Sequence, residues 1–455
     1  MKKKLVISLM IIFVIIVVIF CYFSFFKQSD EQKEIVLNSL TGTIYNITDN
    51  DIVLKDINNV EYNINLDGID SGSIYLGDSV SIEYEGELSD KNDENIKIHN
   101  IKVIDTEDRV PIDWNDNGIF SHYYVDAYKK LKEMSIDEKI GQMFLVRVPE
   151  VNQIEDISKF NLGGYILFGR DTQNETKESL KTKIQSYQEN SKIPMIIAVD
   201  EEGGTVVRVS SNPNLRSEKF SSPQQLYQSG GYDKIESTTL EMSQLLSSLG
   251  FNVNLAPVAD VSTDSNDFIY ERSFGKDASE TSTFIQTVIK ASKQNNVSYV
   301  LKHFPGYGNN KDTHTGISID ERSLEQFKSV DFLPFQAGID EGAEAILVSH
   351  NIISQVEENT PASLSLNIHN ILRNDLKFTG IVMTDDLDMG AIKYYIDDSP
   401  AVKAVLAGND MLILTDYEQA YNDIKNAINE GKITQESIDH SAFRIIAWKY
   451  YKGLL

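Results

Sequence analysis

The chain has 455 residues, enough for one large domain and a smaller one. Its 42 Lys and Arg residues against 68 Asp and Glu residues give a net charge of −26, which argues against a nucleic-acid partner. Its hydrophobic fraction of 41% is ordinary for a globular protein.

The N terminus carries an apolar run from Leu5 to Phe26 that follows three lysines. A run of this length can span a bilayer, and lysines before it predict a cytoplasmic N terminus. We therefore predict that residues 1–26 are a single-pass anchor in the cell membrane, with the rest of the chain extracellular. A cleaved signal peptide is the alternative, although no small-X-small site follows the run. Cys21, the only cysteine, lies in this run, so the exported part has no disulfide.

Residues 35–105 alternate short apolar runs with turn residues. Five strands are predicted, at 43–47, 52–54, 62–66, 80–84 and 98–103. Strands at this spacing predict a small all-β barrel or sandwich, similar to an OB fold. The region contains no catalytic constellation, which favours a spacer or a module that faces the cell wall. Residues 106–120, which are rich in Asp and contain Pro111, are predicted to be a linker.

From about Ile119 apolar strands alternate with helices, and residues 121–455 are predicted to form one α/β domain. The predicted strands lie at 143–148, 164–168, 195–199, 253–256, 299–301, 345–348, 381–383 and 411–414. Helices are predicted between them, for example at 177–189, 324–341 and 417–430. Eight strands divided by helices predict a (β/α)8 TIM-type barrel. A doubly wound sheet is the alternative, but no Gly-rich dinucleotide turn follows the first strand.

Polar residues follow six of the predicted barrel strands. In chain order they are Asp200 and Glu201, Asn254 and Asp260, Lys302 and His303, Ser349 and His350, Thr384 to Asp386, and Thr415 and Asp416. Barrel enzymes build their active sites at the C-terminal ends of the strands. A single polar residue there is often only the cap of the next helix. Six sets in succession indicate a functional site.

The stretch from Lys302 to His314 places histidines, a lysine and an aspartate among glycines. Asp312 lies two residues before His314, close enough in a loop to hold one ring nitrogen and fix the tautomer. The other nitrogen can then exchange a proton near neutral pH. A surface hydrogen bond would explain an isolated Asp-X-His, but Lys302 and His303 immediately upstream argue against it.

From about Ser121 to its end the chain resembles the β-N-acetylhexosaminidases of glycoside hydrolase family 3. The motifs that carry the resemblance are Asp200-Glu201-Glu202-Gly203-Gly204, Ala256-Pro257-Val258-Ala259-Asp260, Arg272-Ser273-Phe274-Gly275, Lys302-His303-Phe304-Pro305-Gly306-X-Gly308 with Asp312-Thr313-His314, and Met383-Thr384-Asp385-Asp386-Leu387. They occur in the family's order. The chain departs from the pattern at Thr205, where arginine is common, and at Tyr307, where histidine is common.

The resemblance implies a retaining exo-β-N-acetylglucosaminidase that removes terminal β-linked GlcNAc, here from cell-wall (peptidoglycan) fragments. Asp385 matches the nucleophile that forms a glycosyl-enzyme, and His314, paired with Asp312, matches the acid/base. Five residues match positions that bind the sugar: Asp200, Arg208, Arg272, Lys302 and His303. Asp386 is a rival nucleophile by chemistry alone, but adjacent strand residues point to opposite faces. No metal and no cofactor are expected.

Two other functions remain open. A β-N-acetylglucosaminide phosphorylase would use the same residues, with phosphate in place of water. A non-catalytic wall-binding protein could be built on an inactive barrel, but the complete set of Asp385, Asp312 and His314 disfavours it. A metal hydrolase is disfavoured because no close-spaced His-X-His pair occurs at a strand end.

Overall fold

The computed structural model describes residues 2–26, 36–48, 50–69, 72–88, 96–310, 313, 316–393 and 398–455, with side chains for all of these except 2–9, 23–26 and 393. The chain forms two compact units. The first comprises Met1–Ile74 and Asp78–Thr106, and the second comprises Tyr75–Gly77 and Glu107–Leu455. Asp312 and His314 lie outside the described residues.

The first unit begins with helix α1 (Lys2–Phe26). Its side chains are described only for residues 10–22, and the large apolar ones among them are exposed, from Val17 at 42% to Phe20 at 73%. Within the part of the chain that the structure describes, no helix is both long and apolar enough to cross a membrane.

In the described residues beyond α1, this unit has five antiparallel strands, and they overlap the five predicted strands. They are β1 (Asn38–Ile47), β2 (Asp51–Lys55), β3 (Glu61–Asn65), β4 (Ser79–Glu85) and β5 (Lys97–Asp105). The order in the sheet is β3-β2-β1-β4-β5, so β1 pairs with both β2 and β4. This order is compatible with a partly open Greek-key barrel. Alternate apolar side chains such as Ile52, Leu54, Val80 and Ile82 are buried, as the period of two requires.

Ten short strands lie in the described residues of the second unit. They are β6 (Phe144–Arg147), β7 (Gly164–Leu167), β8 (Ile196–Val199), β9 (Val253–Asn254), β10 (Ser298–Phe304), β11 (Ile319–Asp320), β12 (Ala345–Val348), β13 (Ile352–Ile353), β14 (Ile381–Thr384) and β15 (Leu412–Leu414). Eight of them form one parallel sheet in the order β14-β12-β10-β9-β8-β7-β6-β15. A bridge between Met383 and Met411 brings the two end strands together and nearly closes the sheet. The predicted TIM-type barrel is confirmed.

Helices connect the strands of this unit. They are α2 (Tyr124–Lys132), α3 (Ile136–Gln142), α4 (Glu155–Phe160), α5 (Gly169–Thr172), α6 (Lys177–Glu189), α7 (Pro223–Leu249), α8 (Ala278–Ser292), α9 (Leu324–Gln326), α10 (Phe332–Asp340), α11 (Leu366–Asn370), α12 (Gly390–Lys393), α13 (Pro400–Ala407), α14 (Tyr417–Asn429) and α15 (Gln435–Tyr451). Ser135 and Glu138 form a capping box at the start of α3. A kink at Gly230 and Gly231 interrupts α7.

Most of the stretch predicted as a linker packs within the second unit. Trp114 is 6% exposed, and its ring stacks on His440 of α15 at a centroid distance of 5.1 Å. Asp116 accepts a hydrogen bond from Nη2 of Arg444, also in α15, at 2.9 Å. This segment therefore belongs to the unit that carries the barrel.

Lys449 of α15 is fully buried and donates to Oε1 of Gln142 at 2.6 Å and to the carbonyl oxygen of Gly163 at 3.0 Å. Burial lowers its pKa from 10.5 to about 7. Between those two values the unfolded chain binds more protons than the folded one. Lys449 therefore costs stability below pH 7, and stability rises as the pH increases toward 10.5, by about 1.4 kcal/mol per pH unit.

We expect Lys449→Met to stabilise the barrel most at pH 6 and to lose this gain progressively as the pH approaches 10, as measured by urea unfolding at several pH values. Lys181→Met is the control, because Lys181 is exposed on α6. If the difference in free energy of unfolding between Lys449→Met and the wild type did not change with pH, this result would contradict the lowered pKa of Lys449.

Candidate active site

Lys302 lies in β10 near the C-terminal end of the barrel and is 3% exposed. Its Nζ atom is 2.8 Å from Oδ1 of Asp200 and 2.6 Å from Oε1 of Glu202, two residues that follow β8. Burial alone would lower the pKa of Lys302, but the two carboxylates outweigh it and raise that pKa. The ammonium group is thus held charged where little water reaches it.

Arg272 shares the carboxylate of Glu202 with Lys302. Its Nε and Nη2 atoms donate to the two carboxylate oxygens of Glu202 at 3.0 and 2.7 Å, which is a bidentate pair. Burial alone would raise the pKa of Glu202, yet the charges of Arg272 and Lys302 hold that pKa well below its usual range. Glu202 therefore fixes the positions of two cations at once.

His303 connects this pair to Asp260. A guanidinium group only donates, so Nε2 of His303 accepts from Nη2 of Arg272 at 3.2 Å, and the ring proton lies on Nδ1. Nδ1 donates to Oδ2 of Asp260 at 2.7 Å. Asp260 also accepts from the backbone N–H groups of His303, at 3.1 Å, and Tyr307, at 2.7 Å. Asp260 therefore fixes both the ring of His303 and the start of the loop after β10.

Glu201 has a different task from its neighbour Glu202. It is fully buried, which raises its pKa, and it accepts backbone N–H bonds from Arg208 at 2.8 Å and Val209 at 2.7 Å. The intervening turn needs glycine: Gly203 has φ +90°, and a Cβ atom there would lie 2.4 Å from the carbonyl oxygen of Ser221. Glu201 and the turn thus shape the loop after β8.

Asp385 and Asp386 both lie beyond β14, which ends at Thr384. The argument that adjacent strand residues face opposite ways therefore does not apply to this pair. The backbone N–H of Asp386 donates to Oδ1 of Asp385 at 2.8 Å, which fixes the orientation of that carboxylate. Burial raises the pKa of Asp386 to about 6. Its Oδ1 atom accepts from the backbone N–H of Asp388 at 2.9 Å, so this side chain is engaged by its own loop.

His350, which follows β12, holds the backbone of Asp386 in place. Its Nε2 atom donates to the carbonyl oxygen of Asp386 at 2.8 Å, because a carbonyl can only accept. Nδ1 of the neutral ring then accepts from the hydroxyl of Ser363 at 2.7 Å. His350 therefore positions the backbone whose N–H group contacts Asp385.

Thr313, the residue between Asp312 and His314, is fully buried. Its hydroxyl is 2.5 Å from that of Tyr307, and its carbonyl oxygen accepts from the backbone N–H of Ala391 in α12 at 3.3 Å. The pKa of Tyr307 is raised by burial and then by the charge of Asp385. Thr313 thus ties the loop after β10 to the segment after β14.

The structure joins four of the predicted sugar-binding residues in one hydrogen-bonded network, namely Asp200, Arg272, Lys302 and His303. Two residues that we did not assign hold the network together, Glu202 and Asp260. Both residues belong to the motifs that carry the family resemblance, but their position in the sequence did not indicate what they bind. Arg208 lies apart, with its guanidinium carbon 5.9 Å from the ring centre of Phe168.

This face of the barrel can perform two kinds of chemistry. Charged donors held rigidly by carboxylates can bind the hydroxyl and amide groups of a neutral ligand. The oriented carboxylate of Asp385 can attack an electrophilic carbon held there.

We expect Glu202→Gln to destabilise the barrel by about 3 kcal/mol or more, because it removes the shared carboxylate and leaves Lys302 and Arg272 with too little negative charge in a buried site. Thermal unfolding measures this loss. Glu150→Gln is the control, since Glu150 pairs with Arg170 but its side chain is 84% exposed. Equal melting temperatures for the two variants would contradict the proposal that Glu202 stabilises the two buried cations.

Comparison with known protein families gives a match over the barrel. The model of the glycosyl hydrolase family 3 N terminal domain matches residues 135–448, which cover the whole barrel.

Several curated proteins and solved structures are similar to this part of the chain. Beta-hexosaminidase A of Pseudoalteromonas piscicida is 28% identical over 330 residues, which are 66% of this chain and 55% of that protein. Beta-hexosaminidase LpqI of Mycobacterium tuberculosis is 26% identical over 329 residues, 70% of this chain and 83% of that protein. A glycoside hydrolase family 3 β-N-acetylglucosaminidase from a Paenibacillus species superposes with a TM-score of 0.66 and 26% identity, covering 70% of this chain and 63% of that one. The chain thus spans little more than half of the first relative.

Proposed function

Because the chain belongs to glycosyl hydrolase family 3 and its barrel is that of a glycoside hydrolase, we propose that it removes terminal β-linked N-acetylglucosamine from glycans with retention of configuration. The relatives named β-hexosaminidase and β-N-acetylglucosaminidase support this choice of sugar. The observation that carries the proposal is the network of Lys302, Arg272 and His303, which is held by Glu202 and Asp260 at the face where Asp385 lies.

In the proposed first step, Asp385 attacks the anomeric carbon while the bond to the leaving oxygen breaks. The backbone N–H of Asp386 holds the attacking carboxylate in position. His314, oriented by Asp312, donates a proton to the leaving group. The cationic network binds the ring through its hydroxyl and acetamido groups, which places the carbon in line with the carboxylate.

In the second step, water attacks the same carbon, and the bond to Asp385 breaks. His314 now accepts the proton of this water. A histidine suits both roles because its pKa lies near neutrality, so neither form is costly to reach.

We propose that the natural substrates are fragments of the cell wall. The predicted exported location supports this proposal. The names of the relatives support it too, because they refer to enzymes that act on amino sugars. Product analysis with a GlcNAc-MurNAc disaccharide, with and without phosphate, is the test. Free GlcNAc in both conditions supports hydrolysis. GlcNAc 1-phosphate, formed when phosphate oxygen replaces Asp385 at the anomeric carbon, would identify a phosphorylase instead, and no cleavage would reject the proposal.

We also propose, from the sequence, that residues 1–26 anchor the enzyme in the cell membrane with the barrel outside. The apolar run from Leu5 to Phe26 and the lysines before it support this location. The full chain should stay in the membrane fraction, and external protease should cleave the barrel in intact cells. A soluble protein that begins near residue 27 would show a cleaved signal instead.

A further inference from the structure

A cluster of three charged residues lies beside the loop that carries the proposed acid/base pair. That loop, residues 305–318, connects β10 to β11 and contains Asp312 and His314. The Arg322 cluster, as we call it, consists of Asp320 in β11, Arg322 two residues further on, and Asp331 directly before α10. The side chains of its two aspartates are 3% and 0% exposed, so burying them is costly without a countercharge.

Arg322 supplies that charge to both carboxylates. Its Nε and Nη2 atoms donate to Oδ1 and Oδ2 of Asp320 at 3.1 and 2.8 Å, which is a bidentate pair. Its Nη1 atom donates to Oδ2 of Asp331 at 2.8 Å. The guanidinium carbon also lies 4.2 Å from the ring centre of Phe327, a distance at which a cation is attracted by the ring. The guanidinium group is therefore fixed on three sides.

The backbone at the start of the loop lies directly against this cluster. A Cβ atom at Gly306 would lie 2.5 Å from Oδ1 of Asp331. A Cβ atom at Gly308 would lie 2.5 Å from Nη2 of Arg322. Both distances are too short for a real Cβ atom, so the two glycines let the loop approach this closely. The two charged groups thus set the position of the loop backbone.

The loop is also fixed on either side of the acid/base pair. Before the pair, Nδ2 of Asn310 donates to Oδ2 of Asp320 at 2.6 Å, which is a contact with the Arg322 cluster. After the pair, the carbonyl oxygen of Ser318 accepts from the backbone N–H of Ile352 in β13 at 2.8 Å. In the sequence, the pair therefore lies between two points that hydrogen bonds hold in place.

We propose that Arg322 is a positioning residue: its two ion pairs hold the loop after β10 in the place from which His314 protonates the leaving oxygen. This inference rests on the proposed function and deepens it. Buried ion pairs add little net stability compared with apolar residues, but their directional hydrogen bonds fix geometry. A catalytic group that is displaced by about 1 Å can lose roughly 100-fold in rate.

The test uses the full chain with two substitutions of Arg322. Arg322→Gln removes the charge, and Arg322→Lys keeps the charge without the planar fork. Arg216→Gln is the matched control, because Arg216 pairs with Glu241 at 2.9 Å and lies 4.0 Å from the ring centre of Phe220. The side chains of the two arginines are 23% and 24% exposed, with Arg216 the lower.

The variants are assayed on GlcNAc-GlcNAc, whose leaving group needs a proton, and on p-nitrophenyl β-GlcNAc, whose leaving group does not. We expect Arg322→Gln to lower kcat/KM by roughly 10-fold to 100-fold on the disaccharide and by less than about 3-fold on the aryl glycoside. Arg322→Lys should recover part of the loss, and Arg216→Gln should change neither value. Equal losses of Arg322→Gln on both substrates would overturn the inference.

A double variant separates positioning from general damage to the fold. If Arg322 acts through His314, adding Arg322→Gln to His314→Ala causes no further loss on the disaccharide, because the group that is positioned is already absent. If the two losses multiply instead, Arg322 acts on something other than His314, and the inference is wrong.

Arg322→Gln leaves two buried carboxylates without their cation, so its melting temperature is measured first. Asn310→Ala is the second variant: it removes the contact between the loop and Asp320 but keeps both ion pairs of Arg322. We expect the same selective loss on the disaccharide, smaller in size. If Arg322→Gln does not fold and Asn310→Ala shows no selective loss, the inference is rejected.

Failure of the proposed function can be told apart from failure of this inference. If the wild type cleaves neither substrate, the proposed function is wrong, and hydrogen exchange of the backbone amides of residues 306–318 decides about Arg322. Faster exchange there in Arg322→Gln, and not in Arg216→Gln, supports its hold on the loop. Unchanged exchange rejects it.

Discussion

Replacing Asp385 with asparagine is expected to lower kcat by on the order of 10,000-fold or more on every substrate, because no glycosyl-enzyme can form without the carboxylate. Asparagine keeps the size of the side chain and can still accept the N–H of Asp386, which donates to Oδ1 of Asp385 at 2.8 Å. The loss should therefore appear without a large change in melting temperature. Steady-state kinetics and a burst experiment with an aryl glycoside measure it.

The control for this prediction is Asp386→Asn. The side chain of Asp386 accepts from Asp388 N–H in its own loop, and its amide counterpart can do the same. We expect this variant to keep at least roughly 1% of kcat, since only the surroundings of the nucleophile change. A 2-fluoro sugar should label Asp385. Label on Asp386 and none on Asp385 would reverse the assignment.

Replacing His314 with alanine is expected to slow cleavage of a natural disaccharide by roughly 100-fold to 10,000-fold, the contribution of general acid catalysis. The reason is that a sugar alkoxide leaves poorly unless it is protonated. A nitrophenolate leaves without that help, so the same variant should form the glycosyl-enzyme from an aryl glycoside far more readily. Its breakdown would then limit the rate, because no base activates water.

Azide should rescue this second step, since it attacks without needing a base. Asp312→Asn should give a milder form of the same behaviour, because the ring remains but its orientation is no longer fixed. Comparison of both variants on the two substrates, with and without azide, is the measurement. Equal losses on both substrates with no rescue would mean that His314 only binds the sugar.

Much of the barrel could be predicted because its strands are short apolar runs between helices. All eight predicted barrel strands overlap observed ones, since an apolar run bounded by polar and turn residues is a local feature. The fifth was predicted at 299–301 but runs over Ser298–Phe304. Lys302 and His303 concealed its length, because charged and polar residues are rarely buried in a strand. Here Asp200, Glu202 and Asp260 compensate them.

The candidate site could be predicted only in part. The residues at the strand ends identified its face, and four of the five residues matched to sugar binding occur in one network. The roles of Glu201 and Glu202 could not be distinguished, since two adjacent glutamates look alike in a sequence. One accepts backbone N–H groups of its own loop, whereas the other binds cations from the loop after β9 and from β10.

Sequence alone was enough to predict the order of the barrel elements, the face on which the polar residues gather and the family to which the chain belongs. Each of these follows from local periodicity or from motifs of a few residues. Which carboxylate holds which cation became visible only in the folded barrel. Those partners are supplied by strands far apart in the chain, as with Asp200 and Lys302, which are 102 residues apart. Electrostatic pairing depends on distance in space, which the closure of the barrel sets and the local sequence does not contain.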